Sequence, residues 1–337
     1  MPLSVPAVLA SGPEAVVLVD DGSTDGTSVL LAGWACSDSR VQVVSAGSLP
    51  EGWTGKNHAV WVGAKRAQST WLLFLDADAR LLPGALQAAV AEAEEGVLDA
   101  LSLSPEQEAL SIWERAVLPV IYDELSRRYP YARVNDAADA CAAANGQFFL
   151  IRRAAYEAVG GHAALRGEVL EDLRLAERLK RAGFRLRFRS GQGQVRTRMY
   201  RDRASLWEGW IKNLYLLWGP PRLGPLLRLI LPVAIGLLSL GLWAAGFLSA
   251  ATFGVCLVGL CYARQARRLR RLGWKPAPGI LLGAAATVIL WLRSTWRHRR
   301  HGEVRWRGRT VLASGSVTPG ASPEVRPVEP AILVTKF

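Results

Sequence analysis

Blocks of apolar residues alternate with amphipathic stretches over residues 1–200. Glu14-Ala15-Val16-Val17-Leu18-Val19 predicts a strand, Asp20-Asp21-Gly22-Ser23 a turn, and Thr24 to Ala35 a helix. Val41-Gln42-Val43-Val44 predicts a second strand and Lys56 to Ala67 a helix. Trp71-Leu72-Leu73-Phe74-Leu75 reads as a short buried strand, Pro83 to Glu95 as a helix, and Leu98 to Leu103 as a further strand. Such alternation predicts an α/β layered domain with a largely parallel sheet. Within Pro105 to Arg128, Ile112, Trp113, Ala116, Val117, Val120 and Ile121 fall at helical spacing. That helix has two placements, on the sheet or along a membrane surface, and packing on the sheet is the expectation.

Near residue 222 the pattern changes. Residues 226–263 contain one charge, Arg228, and are long enough for a tight hairpin at about 20 residues per membrane crossing. Residues 264–275, RQARRLRRLGWK, hold six basic residues and no acid. A third apolar stretch, residues 276–292, precedes the basic run RSTWRHRRHGEVRWRGR. Basic flanks favour the cytoplasmic side, whereas three full crossings would put the two basic segments on opposite sides. The last stretch, short and interrupted by Pro276 and Pro278, is therefore expected to be re-entrant or interfacial. A buried helix pair in a soluble protein is the alternative. The tail from Ala313 on, rich in Pro, Ser, Gly and Val, reads as mostly disordered. The expected organisation is a globular domain over 1–221, a membrane region over 222–312 and a tail over 313–337.

Composition agrees with that division. The 337 residues carry 41 Lys+Arg against 29 Asp+Glu, a net charge of +12, yet half are hydrophobic and the mean hydropathy is +0.14. Excess positive charge suits anionic lipid or phosphorylated substrates. No nucleic-acid recognition motif accompanies it, so no nucleic-acid partner is expected. Cys36, Cys141, Cys256 and Cys261 show no metal-ligand spacing, which fits a reducing compartment. The N-terminal stretch MPLSVPAVLASGPEA lacks the basic start and apolar core of a signal peptide.

Four runs carry candidate chemistry. In FLDADAR, residues 74–80, a buried strand ends in Asp76 and Asp78 with only Ala77 between them. Two carboxylates at the carboxyl end of a strand repel unless a cation sits near both, which suits a divalent metal completed by a phosphate-bearing ligand. A polar strand end or helix cap explains them as well. In VLVDDGSTDGT, residues 17–27, Asp20 and Asp21 follow a strand and can accept hydrogen bonds from a nucleobase imide or a ribose hydroxyl; capping of the next helix is the alternative. In GWTGKNHAVWVGAKRA, residues 52–67, Lys56 lies at a helix N-terminus suited to phosphate, or is simply solvated. In GEVLEDLRLAERLKRAGFRLRF, residues 167–188, Glu171 and Asp172 begin an amphipathic helix. They either complement the helix dipole or supply a general base.

In this order, VDDGSTDGT, FLDADAR and LEDLRLAERLKRAG resemble the nucleotide-binding, metal-binding and catalytic-base motifs of the family 2 glycosyltransferases. NGQFFLIRRAAYEAVGGH, residues 145–162, resembles that family's acceptor-side segment, and the resemblance covers about residues 14–215. Together with the basic-flanked apolar segments, RTRMYRDRASLWEGWIKNLY (residues 196–215) is similar to membrane-bound members that glycosylate carotenoid or hopanoid-type lipids. The resemblance implies a GT-A domain, Rossmann-like and nucleotide-sugar-binding, followed by C-terminal transmembrane helices. It implies that Asp21, with Asp20 beside it, contacts uridine and that Lys56 lies near the nucleotide. Asp78 would bind Mn²⁺ or Mg²⁺, with Asp76 touching ribose or metal. Asp172 would be the catalytic base, supported by Glu171. The family's Gln/Arg-x-x-Arg-Trp motif has its nearest match at Arg196 to Tyr200, without the tryptophan, and assigns Arg198 to the diphosphate.

The implied activity is inverting transfer of a hexose from a UDP-sugar to a lipid-like hydroxyl or carboxyl acceptor. It would occur at the cytoplasmic face of the inner membrane, by a multi-pass protein with a cytoplasmic catalytic domain. One departure stands out. The family begins with a central strand and a Pro/Ala-Arg-Asn-Glu-type turn, whereas only MPLSVPAVLAS, similar to a piece of the first helix, precedes Gly12-Pro13 here. The first family strand is thus expected to be missing, because the start site is misassigned, the gene is truncated, or something else fills the gap. That raises a second reading, a truncated and catalytically inactive membrane scaffold, and a third, a polysaccharide synthase, is disfavoured by the small membrane portion.

Overall fold

The computed structural model describes residues 4–200, 202–271, 274, 280–301, 303–306, 309–312 and 332–336. In chain order they form α1 (Ser4–Ala10), β1 (Ala15–Asp20), α2 (Thr27–Ser37), β2 (Val41–Ser45), α3 (Gly55–Arg66), β3 (Trp71–Leu75), β4 (Ala79–Leu81) and α4 (Ala85–Glu95). Next come β5 (Ala100–Ser104), β6 (Glu106–Gln107), α5 (Ile112–Arg128), α6 (Tyr131–Asn135), β7 (Phe149–Arg152), α7 (Arg153–Ala158), α8 (Glu171–Arg181), β8 (Leu186–Ser190) and β9 (Val195–Thr197). The rest is α9 (Arg203–Trp218), α10 (Leu223–Ala244), α11 (Leu248–Arg271), α12 (Ile280–His301), β10 (Glu303–Trp306), β11 (Arg309–Leu312) and β12 (Ile332–Lys336). The chain divides into two compact units, neither continuous in sequence. One comprises residues 1–108, 129–199 and 302–337, and the other residues 109–128 and 200–301.

The first unit is built on a seven-stranded sheet in the order β2-β1-β12-β3-β7-β5-β8. Its two faces bury alternate residues of the same strands. Val17, Val19, Leu72 and Phe74 belong to one core cluster, and Val16, Leu18, Leu73 and Leu75 to the other. Burial on both faces is why β1 and β3 are unbroken apolar runs rather than alternating ones. A smaller sheet, β4-β9-β6, lies at the end of β3. The helix α1 is fastened beside it by the Ser4 hydroxyl, which donates to the Ala77 carbonyl across 2.6 Å.

Two expectations change here. The large sheet is mixed rather than largely parallel: only β1–β2 and β5–β8 are parallel pairs, while β1–β12, β12–β3, β3–β7 and β7–β5 are antiparallel. Two strands cause this: β7, which returns after the long excursion from residue 105 to 148 and enters between β3 and β5 in the opposite direction, and β12, which enters between β1 and β3 in the opposite direction. Second, the slot expected to lack a strand is filled by β12 from the other end of the chain, where a disordered tail was expected. Val17 and Phe74 both face Val334 in the pairing register. The part of that tail over 313–331 lies outside the described residues.

The second unit is helical. The helix α5 packs against α12 and α9 within this unit. A glycine permits the close approach of α12. A Cβ on Gly283 would lie 1.8 Å from the Ala116 carbonyl oxygen. The helices α10 and α11 form a hairpin through the turn at Ala245 to Phe247. Among the described residues, α10 is the one helix long and apolar enough to cross a membrane, with a mean hydropathy of 2.0 in its most apolar stretch. Two or three crossing helices were expected. The basic end of α11 and the basic half of α12 take those helices below that threshold. The last apolar stretch is a regular helix from Ile280 on; residues 275–279 lie outside the described residues.

Candidate active site

The pairing of β12 with both neighbours makes β1 and β3 run in the same direction. Leu18 and Leu75 stand level across Leu333. The acidic ends of the two strands therefore open at one edge of the sheet, about 10 Å apart at two strand spacings. That edge is where ligands of α/β sheets collect.

At the end of β1, Asp20 turns back on its own loop. Its Oδ1 accepts the Ser23 backbone N–H at 2.9 Å and its Oδ2 accepts the Ser28 hydroxyl at 2.7 Å. Partial burial works against ionisation, but hydrogen bonds from Ser23, Ser28 and Gly22 hold the Asp20 carboxyl below its ordinary value. Asp20 thus caps the turn, and Asp21, 7 % exposed, is the carboxylate left to the strand end. His58 lies within its electrostatic reach. Burial lowers the His58 pKa while the charge of Asp21 opposes the shift. The His58 ring meets Trp53 edge-on at 5.4 Å, and Trp53 meets Trp61 at 5.1 Å.

The helix α3 carries His58, Trp61 and Lys56 together, and its N-terminus is tightly held. Thr54 caps it by accepting from the Asn57 N–H at 3.2 Å, and the Thr54 N–H donates to the Arg166 carbonyl at 2.7 Å. The Asn57 side-chain amide donates to the carbonyls of Leu165, Arg166 and Glu168. These bonds fix α3 to the loop that leads into α8, and so bring together residues more than a hundred positions apart. The Lys56 ammonium lies 2.7 Å from Glu171 Oε1 and 3.0 Å from Asp76 Oδ1.

Glu171 and Asp172 share the first turn of α8 but differ in environment. Burial would raise Glu171; the Lys56 ammonium overrides it and holds the carboxyl below its ordinary value. Asp172 accepts the N–H groups of Gly146 at 2.8 Å and Leu173 at 2.7 Å. Burial and the neighbouring Glu171 charge push it up to about 6. One carboxylate is thereby fixed in the charged form and its neighbour is poised near neutrality, the separation of roles a general base requires. The enclosed space among these groups is about 20 Å³, room for one water.

His162 lines the same cleft and has no role in the motif reading. The Tyr156 hydroxyl oxygen accepts the His162 backbone N–H at 3.0 Å and lies 2.9 Å from Nδ1. The Tyr156 hydroxyl thus holds both the backbone and the ring of His162 in place. Burial lowers His162 to about 4, so it is neutral near pH 7. The tyrosine ring fits because position 161 is glycine. Gly161 has φ +50°, and a Cβ there would lie 2.4 Å from Tyr156 Cζ.

Asp78 is exposed at the turn between β3 and β4, beside β9. Ala79 pairs with Thr197 antiparallel, so Arg198 follows β9 opposite Asp78, and the Thr197 hydroxyl donates to the Asp78 carbonyl at 3.3 Å. Among the described residues no group of three or more His, Cys, Asp and Glu side chains could hold a metal ion. Two aspartates at one turn suit a hard cation that takes its remaining oxygens from a diphosphate and water, not a cage made by protein alone.

The structure therefore gathers Lys56, Asp76, Glu171 and Asp172 in one cleft and sets Asp78 across from Arg198. Asp21 stands at the neighbouring strand end. Gly146, Tyr156 and His162 lie in the segment 145–162 and Asn57 in the run 52–67, but the motifs give none of them a role of its own. Only the glycine pair before His162 and the cap signature Thr54-Gly55-Lys56-Asn57 hinted at them.

Residues 7–160 match the family described as Glycosyl transferase family 2. The 4,4'-diaponeurosporenoate glycosyltransferases of Staphylococcus aureus strains MRSA252 and USA300 are each 26% identical to the chain over 211 residues, which covers 60% of this chain and 53% of theirs. The chain spans about half the length of these curated relatives. It is also similar to the crystal structure of S. aureus TarS 1-349 in complex with UDP-GlcNAc. The TM-score is 0.41 and the identity 14%, with 96% of this chain and 93% of that one covered. For the same protein in complex with UDP the TM-score is 0.40, the identity 14% and the coverage 97% and 94%.

Proposed function

For a chain that carries a glycosyltransferase family 2 domain, we propose inverting transfer of a hexose from a UDP-sugar to a lipid-like acceptor at the cytoplasmic face of the inner membrane. The observation that carries this reading is the division of labour in α8. Glu171 is held ionised by Lys56, and Asp172, two backbone N–H groups on its oxygens, is poised at about 6.

Asp172 takes the proton of the acceptor hydroxyl as its oxygen bonds to the anomeric carbon. The carbon–oxygen bond to UDP breaks, and its electron pair leaves with the diphosphate. One such displacement inverts the anomeric centre. A hydroxyl has a pKa far above 7 and needs the base. A carboxylate acceptor is already ionised, and its transfer would survive replacement of Asp172. Asp21 accepts from the uracil or ribose, with Asp20 shaping the turn that presents it. Lys56 and Arg198 offer positive charge to the departing diphosphate. Mn²⁺ or Mg²⁺, held by Asp78 and touched by Asp76, would supply further neutralisation of that charge. Glu171 holds Lys56 in position.

Membrane attachment is assigned to the α10–α11 hairpin. The 22 residues of α10 extend about 33 Å. Leu237, Leu238, Leu240, Trp243, Phe247 and Phe253 are each more than half exposed, an apolar surface of the kind that meets lipid. The basic run at the end of α11 favours a cytoplasmic position for both ends of the hairpin. The similarity to carotenoid glycosyltransferases supports a lipid-like acceptor. The pairing of β12 with β1 and β3 favours an active enzyme over the inactive-scaffold reading.

The test is UDP release from UDP-glucose and other UDP-hexoses by membranes containing the chain, with Mn²⁺ or with EDTA, alongside Asp172→Asn. Metal-dependent release that falls at least about 100-fold in the variant is expected for a hydroxyl acceptor. Equal release in the variant removes Asp172 as the base.

A further inference from the structure

The helical unit contains a second, chemically different cavity, of about 190 Å³, at the N-terminal end of α10. Its walls are set by two tryptophans. The Trp291 indole N–H donates to the Gly219 carbonyl at 2.8 Å, and its ring meets Trp218 edge-on at 5.2 Å. Arg127, Arg128, Arg222 and Arg228 also line it.

Among the described residues, basic groups outnumber acids around this cavity. Glu124 accepts Arg228 through both carboxylate oxygens, at 3.0 and 2.8 Å. Asp123 accepts Arg127 at 3.0 Å on one oxygen and Arg268 at 2.8 Å on the other. All four oxygens of these two buried acids are committed to holding guanidinium groups in place. Arg128 donates to the Trp218 carbonyl at 3.2 Å, and Arg222, exposed, has no carboxylate partner among the described residues. Among the described residues, Arg127, Arg128, Arg222 and Arg228 line the cavity against the single carboxylate of Glu124, so positive charge predominates around a space that several waters or a tetrahedral anion can enter.

We propose that this cavity binds a phosphate ester, and that its source is the head group of an anionic phospholipid. Guanidinium groups favour phosphate oxygens through paired N–H donors. Location favours a lipid over a soluble phosphate. Arg222 immediately precedes α10, the helix with membrane-spanning length, and Arg228 lies within its second turn. A basic pocket beside tryptophans at the start of such a helix is where anionic head groups lie. The choice of lipid as source rests on the reading of α10 as a membrane helix; the phosphate chemistry of the cavity does not. Nothing in the proposal involves the sugar-transfer cleft, so its failure leaves that reading standing.

The experiment uses the full chain in detergent, with dioctanoyl-phosphatidylglycerol, dioctanoyl-phosphatidylcholine and glycerol 3-phosphate as probes and tryptophan fluorescence and thermal shift as readouts. Saturable binding of phosphatidylglycerol, at least tenfold tighter than phosphatidylcholine, is expected. It should weaken at least tenfold in Arg128→Gln/Arg222→Gln. Arg222→Gln alone, at an exposed position, decides the matter if the double variant does not fold. Glycerol 3-phosphate binding as tightly as phosphatidylglycerol would keep the phosphate site and overturn its lipid source. Equal binding of the two lipids, or binding unchanged in the variants, would overturn the proposal.

Discussion

The Lys56 ammonium lies 2.7 Å from a carboxylate oxygen of Glu171, joining the start of α3 to the first turn of α8. Removing the cation strands a buried acid, and such loss is costly where solvent cannot reach. Lys56 keeps 40% of its side-chain surface exposed, so the penalty is discounted. Lys56→Met is expected to lower stability by about 1–2 kcal/mol at pH 7, measured by denaturant unfolding. The sign with pH follows from Glu171. Its folded pKa is depressed, so the stabilisation exists above its unfolded value and vanishes as pH falls through the folded one. The gap between Lys56→Met and the parent should therefore close in acid, and a gap constant with pH would rule out the ion pair as its cause.

Asp172 predicts the pH dependence of turnover. A base works only when deprotonated, so kcat/KM for a hydroxyl acceptor should fall about tenfold per pH unit below about 6. The positive charge of Lys56 opposes the upward shift of Asp172, so Lys56→Met should move this acid limb to higher pH. A limb that stays in place in Lys56→Met would show that the two groups are not electrostatically linked. The measurement is UDP release between pH 4.5 and 8 at saturating metal, in both proteins.

Strand ends and helix caps were legible because short-range chemistry writes them. The apolar runs of β1 and β3 stop at acids, and Lys56 stands at a helix start. What sequence pattern lacked was direction and partner. Nothing local in Phe149–Arg152 says that β7 enters antiparallel between β3 and β5, and nothing near Ile332 points to β1 and β3, over 250 residues away. The helical spacing of apolar residues in α5 is legible, but a helix stripe does not name its partner, here α12. In the site, the motifs single out both Lys56 and Glu171; that they form an ion pair depends on Asn57 bonding the 165–168 loop, a contact across sequence with no periodicity to betray it.

Asn57 is fully buried and its amide satisfies three carbonyls of that loop. Asn57→Ala leaves those acceptors without their donor, at a cost of about 1–3 kcal/mol. It also releases the segment that carries Glu171 and Asp172. A fall in kcat beyond what the loss of folded protein explains is expected, measured on the folded fraction at a temperature well below its unfolding. Asn57→Asp, which keeps the shape but offers acceptors to acceptors, should do no better. Recovery of activity in Asn57→Asp would show that the donated hydrogen bonds are not what positions the loop.

The last prediction concerns the strand that closes the sheet. Val334 lies between Val17 and Phe74, so β12 is a central strand with a neighbour on each side. Proline in such a place removes a ladder donor and opposes the extended pairing, which is why it is confined to edges and bulges. Val334→Pro is expected to cost about 3 kcal/mol, from an unpaired carbonyl and the loss of strand geometry. Without β12 the facing edges of β1 and β3 would expose unpaired backbone, and such edges recruit other chains. Aggregation at the melting transition and loss of UDP release should therefore accompany the drop in Tm. Thr335→Val, a substitution that keeps strand preference, is the control and should leave both unchanged. A Val334→Pro protein that melts like its parent would mean that β12 does not hold the slot between β1 and β3. The alignment of the Asp21 and Asp76 strand ends at one sheet edge would then need another cause.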